Sequence, residues 1–352
     1  MYIPQITIEG NDLVGKTSFQ KAMFRMPDCP VSKMLFTGDR GILTHYLYNQ
    51  YFSRYPELES CYVNDLIDHI SNNGTIILTL NNESLSKRFK ERGDDLYDID
   101  TIFGMNSLYN ANAEGLKNIP FVKVIEADGK SIAQTITEAE PWFNMMMNAD
   151  MSAKIWNLYK IIKHMGKNVG STKEITNVRL QSIENNLETV KFESTMDYFS
   201  GFTKMVEHGE YTMAIENHSA FFAALKSKMI YIIQKEIKMY GQKEDTSRRF
   251  HFTNDAGGCI NTLGINFRKN ANDNIECFVT ANFRSSDIAI LPFDIFGVYA
   301  VISDLIRPKI AKNLFKPGFT SKIEKFYLTF NIESAHINFE DKLREYDNNI
   351  NN

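Results

Sequence analysis

Paired cysteines are missing from this chain. Its four, Cys29, Cys61, Cys259 and Cys277, stand far apart, with no CxxC among them, which argues against a disulfide scaffold and a zinc module. The seven histidines form no cluster, so the one metal to expect is magnesium carried in on a nucleotide. No apolar run has membrane-spanning length and no leader-like segment opens the chain, so a reducing cytoplasm is the expected setting. An excess of positive charge is missing too. Lys and Arg number 39 against 43 Asp and Glu, for a net charge of -4, which leaves no electrostatic footprint for nucleic acid. Free nucleotides and folates stay open, because their sites need only local positive charge. What remains is a soluble globular composition, 43% hydrophobic and 23% charged. At 352 residues the chain is too long for one ordinary core, so two domains are expected.

The first motif lies near the start. Tyr2 to Glu9 reads as a short apolar strand and runs straight into Gly10-Asn11-Asp12-Leu13-Val14-Gly15-Lys16-Thr17, followed by a helix-compatible run from Ser18 to Arg25. This is a complete G-x-x-x-x-G-K-[ST] phosphate loop in its required strand–loop–helix setting. Gly10, Asp12, Gly15, Lys16, Thr17 and Ser18 are the expected ATP-binding set, with Lys16 reaching the β- and γ-phosphates and Thr17 ligating Mg2+. Phe36 to Thr44, including Asp39 and Arg40, is followed by Tyr46 and Tyr48; Thr75 to Leu80 is a strand leading into Leu85 to Gly93, which carries Arg88 and Arg92. The bland reading of Lys87 to Arg92 is a solvated helix face.

Together these segments resemble thymidylate kinase and related deoxynucleoside monophosphate kinases. The resemblance implies that Asp39 and Arg40 reach the acceptor nucleotide, and that Arg88 and Arg92 form a lid neutralising the transferring phosphoryl group. The interval from Lys16 to Asp39 is shorter than those kinases use. Phe121 to Ile125 then reads as the last strand of a parallel sheet and Ser131 to Glu140 as its closing helix, giving a three-layer α/β domain.

A second constellation lies far downstream. Cys259 is followed by an alternating hairpin, Leu263 to Phe267 and Cys277 to Phe283 with its turn at Asn270 to Asn274, then by Arg284-Ser285-Ser286-Asp287 and by Leu291-Pro292-Phe293-Asp294 opening an apolar helix to Ile306. Cysteine is well suited to attack an electron-poor carbon, and an arginine nearby binds phosphate. A lone cysteine is also an ordinary small core residue. Upstream stands Asp245-Thr246-Ser247-Arg248-Arg249, and downstream Ser334-Ala335-His336-Ile337.

In this order the pieces resemble the thymidylate synthase and deoxycytidylate hydroxymethylase family. The resemblance implies an α+β domain in which Cys259 adds to C6 of a pyrimidine and 5,10-methylenetetrahydrofolate supplies one carbon to C5. Arg284 then favours the thiolate and holds phosphate, Arg248 and Arg249 hold phosphate across a homodimer interface, and Ser285 also serves the substrate. Asp287 contacts folate or orders water, and His336 bonds the deoxyribose. Ser171 stands where the family has an arginine, with Lys173 as its substitute point charge. The family's Tyr after His336 is replaced by Asn338. The family's acid/base Glu has no clear counterpart, the nearest carboxylates to Tyr198-Phe199 being Glu193 and Asp197. Asp294 stands where the synthases carry Asn. A carboxyl group accepts from the cytosine 4-amino group and, protonated, donates to N3, which points to dCMP over dUMP.

The expected layout is a kinase-like domain over 1–140, a Met- and Asn-rich linker over 141–151, a synthase-like domain over 152–340, and a charged tail over 341–352. The expected activity is bifunctional: hydroxymethylation of dCMP and ATP-dependent phosphorylation of the modified monophosphate, as in viral DNA-modification pathways, in the host cytoplasm. The competing readings are a dTMP-forming synthase/kinase fusion and a catalytically reduced nucleotide-binding or interaction protein.

Overall fold

The computed structural model describes residues 5–25, 35–37, 40–94, 96–187, 212–241, 250–254, 259–288 and 290–337. Asp39, the Arg248-Arg249 pair, the Glu193–Phe199 segment and the tail lie outside them. The described residues fall into two compact units, one within 3–149 and the other within 150–352.

The N-terminal unit is a wholly parallel four-stranded sheet with the order β2-β1-β3-β4. The strands are β1 (Gln5–Glu9), β2 (Leu35–Thr37), β3 (Gly74–Thr79) and β4 (Val122–Glu126). Among the described residues five helices join them, α1 (Lys16–Phe24), α2 (Ile42–Phe52), α3 (Glu59–Asn72), α4 (Asn82–Arg92) and α5 (Ile99–Leu116), and α6 (Ile132–Met147) follows β4. β3 is buried almost throughout, as a strand covered on both faces must be. Because β1 is central, the loop after it opens between the segments that follow β2 and β3, the crevice position of open α/β sheets.

The boundary between the units falls inside the stretch expected as a linker, between Ala149 and Asp150, but most of that stretch is helical. α6 starts at a Ser131–Gln134 capping box and runs on past Pro141 to Met147. Trp142, Phe143 and Met146 are buried, and Trp142 Nε1 donates to the Pro120 carbonyl at 2.9 Å. Packing of these large apolar groups outweighs the one helical hydrogen bond that proline removes.

The C-terminal unit is built on a mixed sheet with the order β5-β6-β11-β9-β8-β7, with β10 paired to β11. Its strands are β5 (Lys167–Val169), β6 (Thr172–Glu184), β7 (Phe250–Thr253), β8 (Ile260–Lys269), β9 (Ile275–Phe283), β10 (Ser286–Asp287) and β11 (Ile323–Ile337). Its helices are α7 (Met151–Met165), α8 (Thr212–Tyr240), α9 (Leu291–Ile306) and the short α10 (Pro308–Ala311). β11 runs parallel to β9 and antiparallel to β6. Alternation puts Leu263, Ile265 and Phe267 of β8 and Cys277, Val279 and Ala281 of β9 in the core.

One irregularity shapes the site. Along β11 the buried residues are Phe326, Leu328, Phe330 and Ile332, and then Ala335 and Ile337. The alternation therefore changes phase at Glu333. The residue facing it on β6 is Asn177, whose φ of 58° is left-handed, and the register of β8 breaks between Ile260 and Thr262. Neighbouring strands thus turn over together, and beyond the kink Ser334, His336 and Glu174 come onto a half-buried face.

Lys154, in the first turn of α7, is buried to 2% exposure and donates to the Gln181 carbonyl. Burial pushes its amine down to about 7, against the pull of Glu184 and Asp150.

Candidate functional site

In the N-terminal unit the loop between β1 and α1 is shaped by its glycines. Gly10 has φ 142°, and a Cβ there would stand 2.6 Å from the Leu78 carbonyl oxygen and 2.9 Å from Val14 Cγ2. Only glycine lets the loop lie this close against the end of β3. Gly15 caps α1 in the left-handed region, so the N–H groups of the first turn follow directly after the loop. Lys16 folds over the loop and donates to the carbonyls of Gly10 (2.7 Å) and Asn11 (2.9 Å). Thr17 and Ser18 are exposed at the start of α1.

The expected lid arginines part company. Arg88 reaches from α4 and donates to the carbonyls of Leu13 (3.0 Å) and Val14 (2.9 Å). Arg92, a turn further on, is exposed. From the β2 side, Arg40 pairs with Asp12 at 3.6 Å and lies over the Tyr48 ring at 5.2 Å, while Tyr48 donates to Asp12 at 2.9 Å. Burial and the Asp12 carboxylate push the Tyr48 phenol well above its ordinary range. Phe52 stacks on Tyr97 at 5.6 Å beside them. The loop, Arg40 and Arg88 therefore converge from the ends of three neighbouring strands.

Sequence reading missed Glu9. It is fully buried and accepts from the N–H groups of Leu43 and Thr44 and from the Thr44 hydroxyl at 2.5 Å. Since Thr44 spends its proton on Glu9, Tyr109 donates to Thr44 at 2.7 Å. Burial holds the Glu9 carboxyl above the usual carboxylate range, against the opposing pull of these bonds. The carboxylate tethers α2, which carries Tyr48, to the strand that carries the loop. The available signal was a charged residue ending an apolar strand.

In the C-terminal unit the Arg284–Asp287 turn organises the site. Cys259 is half-buried just before β8, and its carbonyl accepts from the Arg284 N–H at 2.9 Å. The Arg284 side chain is exposed and has no hydrogen bond or ion pair among the described residues. Ser285 Oγ lies 3.3 Å from His336 Nδ1, and Asp287 is the direct strand partner of His336. On the other side of the short strand Ser286 donates to Asp294 at 2.8 Å, and Asp294 is 1% exposed at the start of α9. Asp287 is 7% exposed. Cys277 is no rival nucleophile, because it sits in the core of β9 and burial pushes its thiol up.

Lys173 takes a different place from the one expected. Its Nζ donates to the Lys163 carbonyl in the last turn of α7, completing a helix end. Alternation turns its neighbour Glu174 the other way, into register with His336. The residue that β6 brings to the site is thus a carboxylate and not the expected cation.

No protein-family model matches the chain, and no curated protein matches it. Among solved structures it is similar to thermostable thymidylate synthase A from Bacillus subtilis, at 12% identity and a TM-score of 0.32, covering 56% of this chain and 84% of that one. At that level the likeness bears on nothing beyond itself, and what the site can do follows from its own residues. Among the described residues no helix is long and apolar enough to cross a membrane, and no group of His, Cys, Asp and Glu could hold a metal ion.

Proposed function

We propose that the C-terminal unit is a folate-dependent dCMP hydroxymethylase and that the N-terminal unit phosphorylates the modified monophosphate. The observation that carries the reading is the gathering of Cys259, Arg284, Ser285, Asp287 and His336 about one turn, with Asp294 fastened to the same turn through Ser286. Cys259 Sγ adds to C6 of the pyrimidine, and the C5=C6 pair moves to C5, which becomes the carbon nucleophile. The Arg284 guanidinium, exposed and with no partner among the described residues, holds the 5′-phosphate. His336 and Ser285 bind the sugar. Asp294 reads the cytosine edge, its position set by Ser286.

The donor set suits a folate, because the Asp287 carboxylate matches the N–H donors of a pterin ring. When bound, 5,10-methylenetetrahydrofolate supplies a one-carbon unit to C5. The glycine cradle at Gly10 and the first turn of α1 suit a nucleotide triphosphate. ATP supplies the phosphoryl group there and Mg2+ screens its charge, with Lys16 and Thr17 as protein partners. Arg88 and Arg40 flank the transfer, with Arg92 and Asp39 in supporting places. Arg248 and Arg249 hold phosphate across a homodimer of C-terminal units.

The test is mass spectrometry of dCMP incubated with methylenetetrahydrofolate, ATP and magnesium. The expected result is a hydroxymethyl gain that disappears in Cys259→Ala, followed by a phosphate gain that disappears in Lys16→Ala. Unmodified dCMP with the wild-type protein overturns the synthase arm, and a monophosphate product alone overturns the kinase arm.

A further inference from the structure

Two cations hold the carbonyl oxygens of the loop between β1 and α1. Lys16, part of the motif itself, donates to Gly10 and Asn11. Arg88, from α4, places a single nitrogen, Nη1, on Leu13 at 3.0 Å and Val14 at 2.9 Å. A bound nucleotide affects the two differently. Lys16 leaves its carbonyls to reach the β- and γ-phosphates, whereas the Arg88 bonds face α4 and can persist.

Those two bonds fix more than two oxygens. A trans peptide unit is planar and carries its C=O and N–H in opposite directions. The Leu13 carbonyl shares a unit with the Val14 N–H, and the Val14 carbonyl shares one with the Gly15 N–H. Holding both oxygens towards α4 therefore aims both N–H groups away from it, and successive N–H groups held in this way form an anion cradle. The backbone here needs holding. Leu13 stands at φ 68° without being glycine, and Gly15, at φ 101°, has no Cβ to resist a flip of the Val14–Gly15 peptide. A flip would turn a carbonyl oxygen towards the anion in place of an N–H. Arg88 Nη1 also lies 3.5 Å from where a Gly15 Cβ would stand, so it packs against that glycine. The helix that carries Arg88 is anchored in turn. Asn81 caps α4 by accepting from the Ser84 N–H at 2.8 Å, its own N–H donates to Asp128 beyond β4 at 2.9 Å, and Leu85 is fully buried.

We infer that Arg88 is a positioning residue that braces the loop's N–H groups for the phosphates ADP and ATP share, and that it does not touch the transferring phosphoryl group. This role rests on the reading of the N-terminal unit as a nucleotide-binding kinase, and Arg88 serves that site through the backbone.

The experiment measures ADP and ATP affinity by titration calorimetry in the presence of magnesium, using the full chain as wild type, Arg88→Ala and Arg88→Lys. Arg88→Ala should lose about 30-fold in affinity for each nucleotide, with the ATP-to-ADP ratio within about threefold of wild type. Because one nitrogen makes both bonds, a lysine ammonium can stand in for it, and Arg88→Lys should bring ADP affinity back to within about fivefold of wild type. In the nucleotide-free protein the carbonyl ¹³C resonances of Leu13 and Val14 should move upfield in Arg88→Ala as their hydrogen bonds are lost; a group that meets only phosphate leaves them in place. Urea melts followed by Trp142 fluorescence in a Trp156→Phe background report whether the N-terminal unit is folded, and if Arg88→Ala is not, the ratio and the resonances are read in Arg88→Lys. ADP affinity within threefold of wild type in folded Arg88→Ala overturns the inference. So do unmoved carbonyl resonances in that variant, or an ATP loss more than tenfold greater than the ADP loss in either one. A wild-type protein that binds neither nucleotide fails at the earlier step, and the kinase reading falls together with the brace.

Discussion

Replacing Lys154 with methionine should remove most of a pH dependence that this one side chain builds into the C-terminal unit. Lys154 is 2% exposed and its amine is held near 7, against an ordinary value of 10.5, by loss of hydration. Glu184 and Asp150 pull the other way, and the buried Tyr299 phenol beside Glu184 is pushed far above the range of the experiment. The folded state therefore binds fewer protons than the unfolded chain between these two values. Stability must rise with pH across that window and level off outside it. Linkage from the two values gives a gain of about 0.4 kcal/mol at pH 7 and about 3.3 kcal/mol near pH 9.5, relative to acid, so about 3 kcal/mol separates the two conditions. Methionine cannot titrate. It removes the Lys154 hydrogen bond to the Gln181 carbonyl, at a cost of about 1–3 kcal/mol, and relieves the buried charge, so near pH 7 the two effects roughly offset. Urea melts of both proteins at pH 7 and about pH 9.5 read this directly. Trp156 of α7 serves as the probe in a Trp142→Phe background, which isolates this unit from the other. Contributions from other titrating groups are common to both proteins and cancel. A wild-type rise that exceeds the Lys154→Met rise by less than about 1 kcal/mol refutes the reasoning, because a side chain so deeply buried cannot stay fully charged without a cost.

Asp294→Asn should shift preference from dCMP towards dUMP by a combined factor of about 10² to 10⁴ in kcat/KM, read by competitive tritium release from the two 5-³H substrates; an unchanged ratio removes Asp294 from base recognition. Gly10→Ala puts a methyl 2.6 Å from the Leu78 carbonyl oxygen at a φ of 142°, so ATP binding measured by calorimetry should fall at least 30-fold, while the activity proposed for the other unit should be retained. Gly297→Ala places a Cβ 2.2–2.5 Å from the Phe222 ring where α9 meets α8, and overpacking of this kind costs about 1–3 kcal/mol. Denaturant melts should show that loss, and Phe222→Leu should recover part of it in the double variant.

Local signals decided a good deal by sequence alone. The strand, glycine loop and helix from Gln5 to Phe24, the β8–β9 hairpin about Asn270–Asn274 and the apolar helix from Leu291 are set by residues close in the chain: periodicity, turn chemistry and a glycine loop at a helix start. Only the tertiary structure decided which neighbouring side chain serves the site. Lys173 and Glu174 differ by one position, and a phase change opposite Asn177 sends the lysine to a helix end and the glutamate to His336. Pro141 reads locally as a breaker, yet buried Trp142 and Phe143 carry α6 past it. Arg88 looks like a solvated charge until α4 lays it across the Leu13 and Val14 carbonyls. Glu9 and Lys154 give no local sign that they will be buried. In each case the deciding partner lies far away in the chain, where strand order, register and burial choose between readings that local propensity leaves equal.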